Sequence, residues 1–546
     1  MLLFISALSC LGQSEIRTEA KHLYDSQQWD ELIARLEPVH DRSGELDFYL
    51  GVALAQRGRF EEGRSTLLQA HRLSPEDLRP MVELGGIAFK QNRTGEATDW
   101  LLKAERLNPS DAYVNDFLGT LFYLRGNLES ALKYWNRVGK PYIENVRVEP
   151  ALQLDPVLLD SAFAFSQASV MTLPEFLTTH ARLTALGLLP GANIELVARP
   201  DGKFDAVLHS TEKRGFGKNW WTALVATFVG APFYTVTPEY YSIDDSGTNA
   251  IAMGRFHPER RRFTADFSGP IRRSAKWRWS ILGDYRNENW NVRNFEGPGL
   301  VGSLNMRRSA VAAEVAAISS AKFAWVTGVE YSRRDYRSVT PGFSPDLLLE
   351  GNQLKHTAEL TFDLLRVPQQ RYDAAATIQT QTGRIWSADP KLFFKFQATL
   401  NQAWAPGDTG DNWLMLHRVA FARTAGDLPF DELFMLGMDR DGEYNMRGHS
   451  AIDSGRKGYA PLGRNYFVSN WELDKAVYGN GLFRLKLGPF IDTGRITDPL
   501  PYLGSNKWLL DVGPQARVRA FGVQMVMSYG RDLRRGEGTF FIYVGR

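Results

Sequence analysis

At 546 residues the chain is too long for one domain and has room for roughly three or four. Its 64 Lys and Arg nearly balance 62 Asp and Glu, and the net charge of +2 gives no reason to expect nucleic acid as a partner. A single Cys excludes an internal disulfide and any thiolate metal cluster, and no run of about 18 apolar residues suggests a spanning helix. The chain begins with MLLFISALSCLG, residues 1–12, which reads as the remnant of a secretory signal without its basic start. An apolar first helix, or a lipid-carrying Cys10 behind the poor lipobox Ala7-Leu8-Ser9, are the alternatives.

From about 15 to 140 the sequence repeats with a period of 34. Leu50-Gly51, Leu84-Gly85 and Leu118-Gly119 fall in register, as do Gly63, Ala97 and Ala131, and then Leu67, Leu101 and Trp135. Pro75 and Pro109 follow each second helix and end it. The segment around Trp29 to Pro38 reads as a degenerate leading pair. The period and the small/large pattern resemble the tetratricopeptide repeat, which implies stacked antiparallel helix pairs, an α-helical solenoid, with a peptide or a periplasmic protein held on the concave face. A rigid spacer is the other use of such an array.

Composition changes at Lys140-Pro141. Residues 141–213 read as a strand at Tyr142–Val148, helices at Pro156–Phe165 and Leu173–Leu186, and a hairpin of Ile194–Ala198 and Phe204–Leu208 around Pro200-Asp201-Gly202. This β-α-α-β-β order, with Leu183, Leu186 and Gly187 before the hairpin, resembles a POTRA domain, the small α+β module attached to outer-membrane assembly and secretion barrels. An open edge strand beside a helix can take extended chains by main-chain hydrogen bonding. The expected client groove lies between Leu173–Leu186 and Ile194–Ala198, with Leu183, Leu186, Ile194 and Leu196 as its lining.

Helical periodicity disappears from Gly217 onward. Strand-like segments recur at Arg262–Phe267, Phe323–Tyr331, His356–Phe362, Ala374–Thr380, Leu392–Leu400, Leu414–Ala422, Tyr466–Leu473, Leu482–Phe490, Trp508–Val512, Val523–Tyr529 and Thr539–Val544. Many alternate apolar and polar residues, as transmembrane β-barrel strands do, and eleven of the 14 Trp lie here, as aromatic girdles require. Residues 217–546 therefore predict a transmembrane antiparallel β-barrel of about 16 strands, with the first near Trp221–Phe228 and the last at Thr539–Val544.

Within it stand LPFDELFMLG (428–437), Met446-Arg447-Gly448-His449 and Phe490-Ile491-Asp492-Thr493-Gly494. Residues 427–546 resemble the C-terminal half of the BamA/TamA-type barrel superfamily, the bacterial surface antigen family. Its infolded loop carries Val-Arg-Gly followed by Phe or Tyr, and a later strand carries Phe-x-Asp-x-Gly. The resemblance implies that Arg447 and Gly448 sit inside the barrel, held by Glu472 and by Asp492 beside Gly494. His449 departs from the family's aromatic residue. The implied work is protein transport and assembly in the bacterial outer membrane, on unfolded outer-membrane or secreted clients, with the N-terminal domains in the periplasm. Neither cofactor nor metal is implied.

Enzyme chemistry has no foothold: Gly448-His449-Ser450-Ala451-Ile452 fails the nucleophile elbow, and no H-E-x-x-H, P-loop or dinucleotide fingerprint occurs. His356, His417 and His449 read as wall or loop residues. Arg260-Arg261-Arg262 reads as a barrel rim facing charged outer-membrane lipid. A passive outer-membrane channel, or an envelope scaffold built on the repeats, are the competing functions.

Overall fold

A computed structural model describes residues 15–546 except 218, 219, 296, 298, 387–389, 408–411, 442–445, 481, 506, 521, 522 and 546. The leader expected at 1–12 lies outside the described residues. The chain forms two units, Met1–Pro141 and Tyr142–Arg546.

In the first unit, helices Gly44–Gln56, Leu78–Lys90 and Ala112–Leu124 start 34 residues apart, as do their partners Phe60–Leu73, Thr94–Leu107 and Leu128–Trp135. The caps share this spacing. Ser43, Asp77 and Asp111 each accept a backbone N–H of the helix they precede, satisfying a donor that the helix cannot. A Cβ at Gly51 would lie 2.6 Å from Leu67 Cγ, and Gly85 and Gly119 face Leu101 and Trp135 in the same way. The small residue of each first helix thus seats the large residue of the second.

The second unit opens with β1 (Tyr142–Glu149), β2 (Ser169–Val170), β3 (Asn193–Ala198) and β4 (Phe204–His209), in the order β2-β1-β4-β3. β1 runs parallel to β4, and the other pairs are antiparallel. The two-residue β2 is too short to leave any alternation in the sequence. Helices Pro156–Ala162 and Leu173–Ala185 complete the domain, the second started by a capping box of Thr172 and Glu175. Leu183, Leu186, Ile194 and Leu196 are only 0–4 % exposed. They are buried instead of lining an open groove, and along β3 buried and exposed residues alternate at Ile194, Glu195, Leu196 and Val197. What β3 leaves open is its backbone edge and the outward Glu195 and Val197.

The rest of this unit is a barrel. Its first strand is broken into β5 (Thr235–Val236) and β6 (Glu239–Ile243), which share one partner, β7 (Thr248–His257). There follow β8 (Arg260–Ile271), β9 (Ser274–Arg293), β10 (Leu300–Ser320), β11 (Phe323–Arg337), β12 (Gly351–Val367), β13 (Tyr372–Trp386), β14 (Lys391–Trp404) and β15 (Trp413–Gly426). An infolded segment carries the short β16 (Phe434–Met435), β17 (Ile452–Asp453), β18 (Arg456–Lys457) and β19 (Leu462–Gly463). The wall resumes with β20 (Asn465–Gly479), β21 (Phe483–Thr497), β22 (Leu509–Ala520), β23 (Val523–Asp532) and β24 (Gly538–Gly545). Eighteen segments appear in the closed order; with β17 and β18 assigned to the infolded segment and β5 and β6 counted as one strand, the wall has fifteen among the described residues.

That is one fewer than about 16, and the difference has a cause. The expected first strand near Trp221–Phe228 is a helix, Trp220–Phe228. Its uninterrupted apolar run lacks the alternation that would decide for a strand. The outer face of the wall is apolar and exposed, as at Phe263, Ile281, Val311, Val329, Leu392 and Ile491. Among the described residues no helix is long and apolar enough to cross a membrane.

The small domain is docked on one rim of the barrel, called here the near rim. Ala275 N–H donates to Ser161 Oγ at 2.9 Å and Ala321 N–H to Thr178 Oγ1 at 3.1 Å. Asn249 Nδ2 donates to the Leu186 carbonyl at 3.2 Å, and Arg273 pairs with Asp155 at 3.1 Å.

Candidate functional site

The segment from Asp427 to Arg464 leaves β15 at the far rim and turns back into the lumen before β20 begins, while β15 and β20 pair directly behind it. Its outer part is held by apolar packing: Phe430 and Leu462 meet Trp290, Met306, Tyr336 and Leu503, and Leu436 and Met446 meet Phe295, Val468 and Ile496. Below that layer the contacts are ionic.

Arg447 is 1 % exposed. Its Nε and Nη2 donate to the two carboxylate oxygens of Asp492, at 2.9 and 2.5 Å. Its Nη1 donates to Glu472 at 2.7 Å and to Gln515 Oε1 at 2.8 Å, and its backbone N–H also reaches Asp492 at 3.0 Å. The guanidinium lies 3.8 Å from the Phe490 ring centroid. All three guanidine nitrogens are therefore engaged, in the bidentate fork that a planar cation allows and an ammonium does not. Period-two alternation aims these partners inward: Asn470, Glu472 and Asp474 on β20, Phe490 and Asp492 on β21, Asp511 and Gln515 on β22. A second layer steadies the carboxylates. Asn470 Nδ2 donates to Asp492, and Arg517 binds both Glu472 and Asp474.

The two glycines have steric duties here. Gly448 N–H donates to Asp511 at 2.6 Å, and a Cβ on Gly448 would lie 2.6 Å from Asp511 Cγ. A Cβ on Gly494 would lie 3.1 Å from Met446 Sδ, so its absence makes room for the buried Met446. His449, the departure from the family pattern, sits between two acids: Nδ1 is 3.0 Å from Asp511 and Nε2 is 3.4 Å from Asp532. These three residues are also the one cluster among the described residues with metal-ligating atoms within 4.8 Å of one another. Each ring nitrogen faces a different carboxylate, which is the arrangement of an ion-pair clasp. The tip reaches the last wall strand as well, where Thr539 Oγ1 donates to the Gly448 carbonyl at 3.1 Å.

The opposite wall carries a second clasp that sequence reasoning missed, with the charges reversed. Asp431 pairs with Arg308 and Arg334, at 3.2 and 3.1 Å. Glu432 takes Lys355 and Lys395, both at 3.1 Å. Farther along, Asp439 meets Arg260 at 3.3 Å, and Asp441 meets Arg255 at 2.6 Å and Arg262 at 3.1 Å. Lys457 of the segment bridges Asp439, Asp441 and Glu288. Arg260 and Arg262 thus point into the lumen, and the expectation of a lipid-facing rim is corrected for both. Only Arg261, of opposite parity on β8, is exposed. The signal was present as Asp431, Glu432, Asp439 and Asp441 in the segment and inward basic residues on β7, β8, β10, β11, β12 and β14. Nothing in their spacing says that they meet.

Around the segment the lumen keeps separate cavities of about 290, 390 and 220 Å³. The first, lined by Gln402, His417, Glu472 and Arg517, lies under Arg447.

Comparison with solved structures places three barrels beside this chain. BamA from Haemophilus ducreyi lacking POTRA domains 1-3 is 10% identical, with 74% of this chain and 84% of that one covered at a TM-score of 0.44. CdiB from Escherichia coli is 12% identical, with 74% and 75% covered at 0.48, and CdiB from Acinetobacter baumannii is 10% identical, with 76% and 81% covered at 0.44. No family model matches the chain, and no curated protein matches it in sequence. At such identity and overlap, the functional reading rests on this chain's own lumen.

Proposed function

We propose that the chain is an outer-membrane assembly or translocation factor, which takes polypeptide clients on its near-rim side and inserts or secretes them through the barrel. The work is non-covalent and uses no nucleotide. On this reading residues 1–12 export the chain, 15–140 are tetratricopeptide repeats holding a periplasmic partner, 141–213 act as a POTRA domain, and 217–546 sit in outer-membrane lipid. A client strand adds to the free edge of β3 by main-chain hydrogen bonds, and passes to the lumen or to the seam between β5–β6 and β24.

One observation carries the reading. The lumen is filled by a segment clasped on two walls, while the wall closes beside β24 through the two-residue β5. A passive channel wants an open bore and a continuous ladder; a machine that handles chains wants a lumen that can be cleared and a joint that can part. The clasp at Arg447, Glu472 and Asp492 keeps the tip seated against β24 while the seam is closed. Depletion followed by membrane proteomics tests the function: other outer-membrane or secreted proteins are lost, and an unchanged proteome refutes it. Arg447→Ala lowers client handling while the barrel still inserts, and wild-type handling in that variant refutes the role given to the clasp.

A further inference from the structure

The helix Trp220–Phe228 precedes the first wall strand. Its sequence, WWTALVATF, holds no charged residue. Trp220, Trp221, Leu224, Val225 and Phe228 are 42–63 % exposed, and at spacings of one, four, five and eight they share one face. A face of five large apolar side chains cannot rest in water at low cost, and nothing else in this unit covers it among the described residues.

The surrounding geometry says where the helix lies. Phe216, just before it, packs edge-on against Tyr240 of β6 with ring centroids 5.0 Å apart. Tyr240 lies opposite Ala250 of β7, whose neighbour in parity, Phe256, is exposed, whereas Asn249 and Arg255 of the other parity point inward. The chain therefore approaches the helix on the outer surface of the barrel. Its far end is tied down where Thr237 N–H donates to the Thr227 carbonyl at 2.9 Å. Phe256 and Phe263 on one side of the seam and Phe540 on the other continue the same exposed apolar band.

We propose that Trp220–Phe228 is a membrane-inserted helix: its apolar face lies in the bilayer alongside the seam, in the place where a sixteenth wall strand would face lipid. The inference rests on the barrel lying in lipid but not on what the barrel transports. Trp220 and Trp221 stand at the end nearer the rim that bears the small domain, where aromatic side chains meet the headgroup boundary. Because a helix cannot join a strand ladder, it shields the joint from lipid without locking it.

The test uses the full chain carrying Cys10→Ser and one new cysteine labelled with an environment-sensitive fluorophore, in phosphatidylcholine vesicles. Val225→Cys reports the helix, Phe263→Cys the outer wall and Gln397→Cys the lumen. Heat-modified mobility on gels selects folded preparations. Doxyl-labelled phosphatidylcholine is expected to quench the 225 site at least about half as strongly as the 263 site, and iodide to reach it roughly threefold less than the 397 site. Iodide quenching at 225 equal to that at 397 overturns the proposal, as does shielding from both quenchers, which would mean a protein cover such as a second copy. Iodide quenching at 263 as well would bring down the lipid-embedded barrel itself, whereas lost client handling with lipid quenching intact leaves the helix in place. If cysteine at 225 blocks folding, a benzophenone amino acid at Leu224 substitutes for it: phospholipid adducts support the inference and protein adducts refute it.

Discussion

Replacing Arg447 with Ala removes three side-chain donors from a pair of acids, and the two acids do not lose equally. Glu472 keeps Arg517 at 2.7 Å and Gln515 at 3.0 Å. Asp492, fully buried, keeps only Asn470 Nδ2 at 2.9 Å and one backbone N–H at 3.0 Å. Breaking a buried ion pair by removing one partner costs on the order of 3–5 kcal/mol, and the donors left on Asp492 place this site near the lower end, about 3 kcal/mol. The barrel ladder is untouched, so the loss falls on seating of the segment and not on global stability. At about 1.4 kcal/mol per decade, the unseated population rises roughly a hundredfold. Maleimide labelling of Ser450→Cys in a Cys10→Ser background reads that population as a rate. Arg447→Lys falls between, because an ammonium satisfies one carboxylate and cannot fork. The double variant Arg447→Ala/Asp492→Ala is expected to label no faster than Arg447→Ala alone, since the stranded charge is gone. A rate within about threefold of wild type in Arg447→Ala, with the barrel still folded, would show that the ionic clasp does not hold the tip.

Other outcomes follow from the same geometry. Glu432→Ala strands Lys395 and leaves Lys355 only Glu330 at 3.4 Å, and should speed amide exchange in 428–437 by roughly tenfold or more, whereas Arg261→Ala, at an exposed position, should leave it unchanged. Gly448→Ala drives a methyl into Asp511 and should raise maleimide labelling at position 450 although no ion pair is removed. In the first unit, burial raises the Glu83 carboxyl above its ordinary value, with Lys90 opposing. The folded state therefore binds that proton more tightly than the unfolded one, and its contribution to stability is present at acid pH and lost as pH rises. Glu83→Gln should raise the unfolding midpoint of the helical unit, followed by circular dichroism of the full chain, at about pH 7, and the gain should vanish near about pH 4.

How much of this was legible in the sequence depended on how local its cause is. The 34-residue spacing of helices and caps shows because Gly51 against Leu67, Gly85 against Leu101 and Gly119 against Trp135 repeat one short-range contact. Wall strands such as β14 show because their two faces meet different surroundings. β9 and β10 did not: β10 is rich in Ala, whose bias is towards helix, and the outer half of β9 carries polar groups on both faces where the infolded segment and the far rim meet it. The apolar run Trp220–Phe228 was misread because neither length nor alternation separates a short buried strand from an exposed apolar helix. Arg447 was paired with Asp492 and Glu472 only through the family resemblance. The partners are 45 and 25 residues away, and spacing alone does not specify such a meeting.

The missed clasp changes what the segment is. Had Arg447 been its only anchor, the segment would be a loop pinned at one point and free to swing about it. It is instead bipolar: Asp431, Glu432, Asp439 and Asp441 face a basic wall, and Arg447 and His449 face an acidic one. A segment turned end for end would set acids against Glu472, Asp474 and Asp492, take Asp431 from Arg334, and leave Arg308 and Lys355 with Glu330 alone, so electrostatics admits one seating. Such pairs add little net stability over apolar packing, but they penalise every wrong arrangement. They also set the terms for release. On the proposed function, a client that clears the lumen must offer compensating charge to both walls or draw the segment out whole. A polar, charge-mixed polypeptide can do the first, and a small neutral solute can do neither.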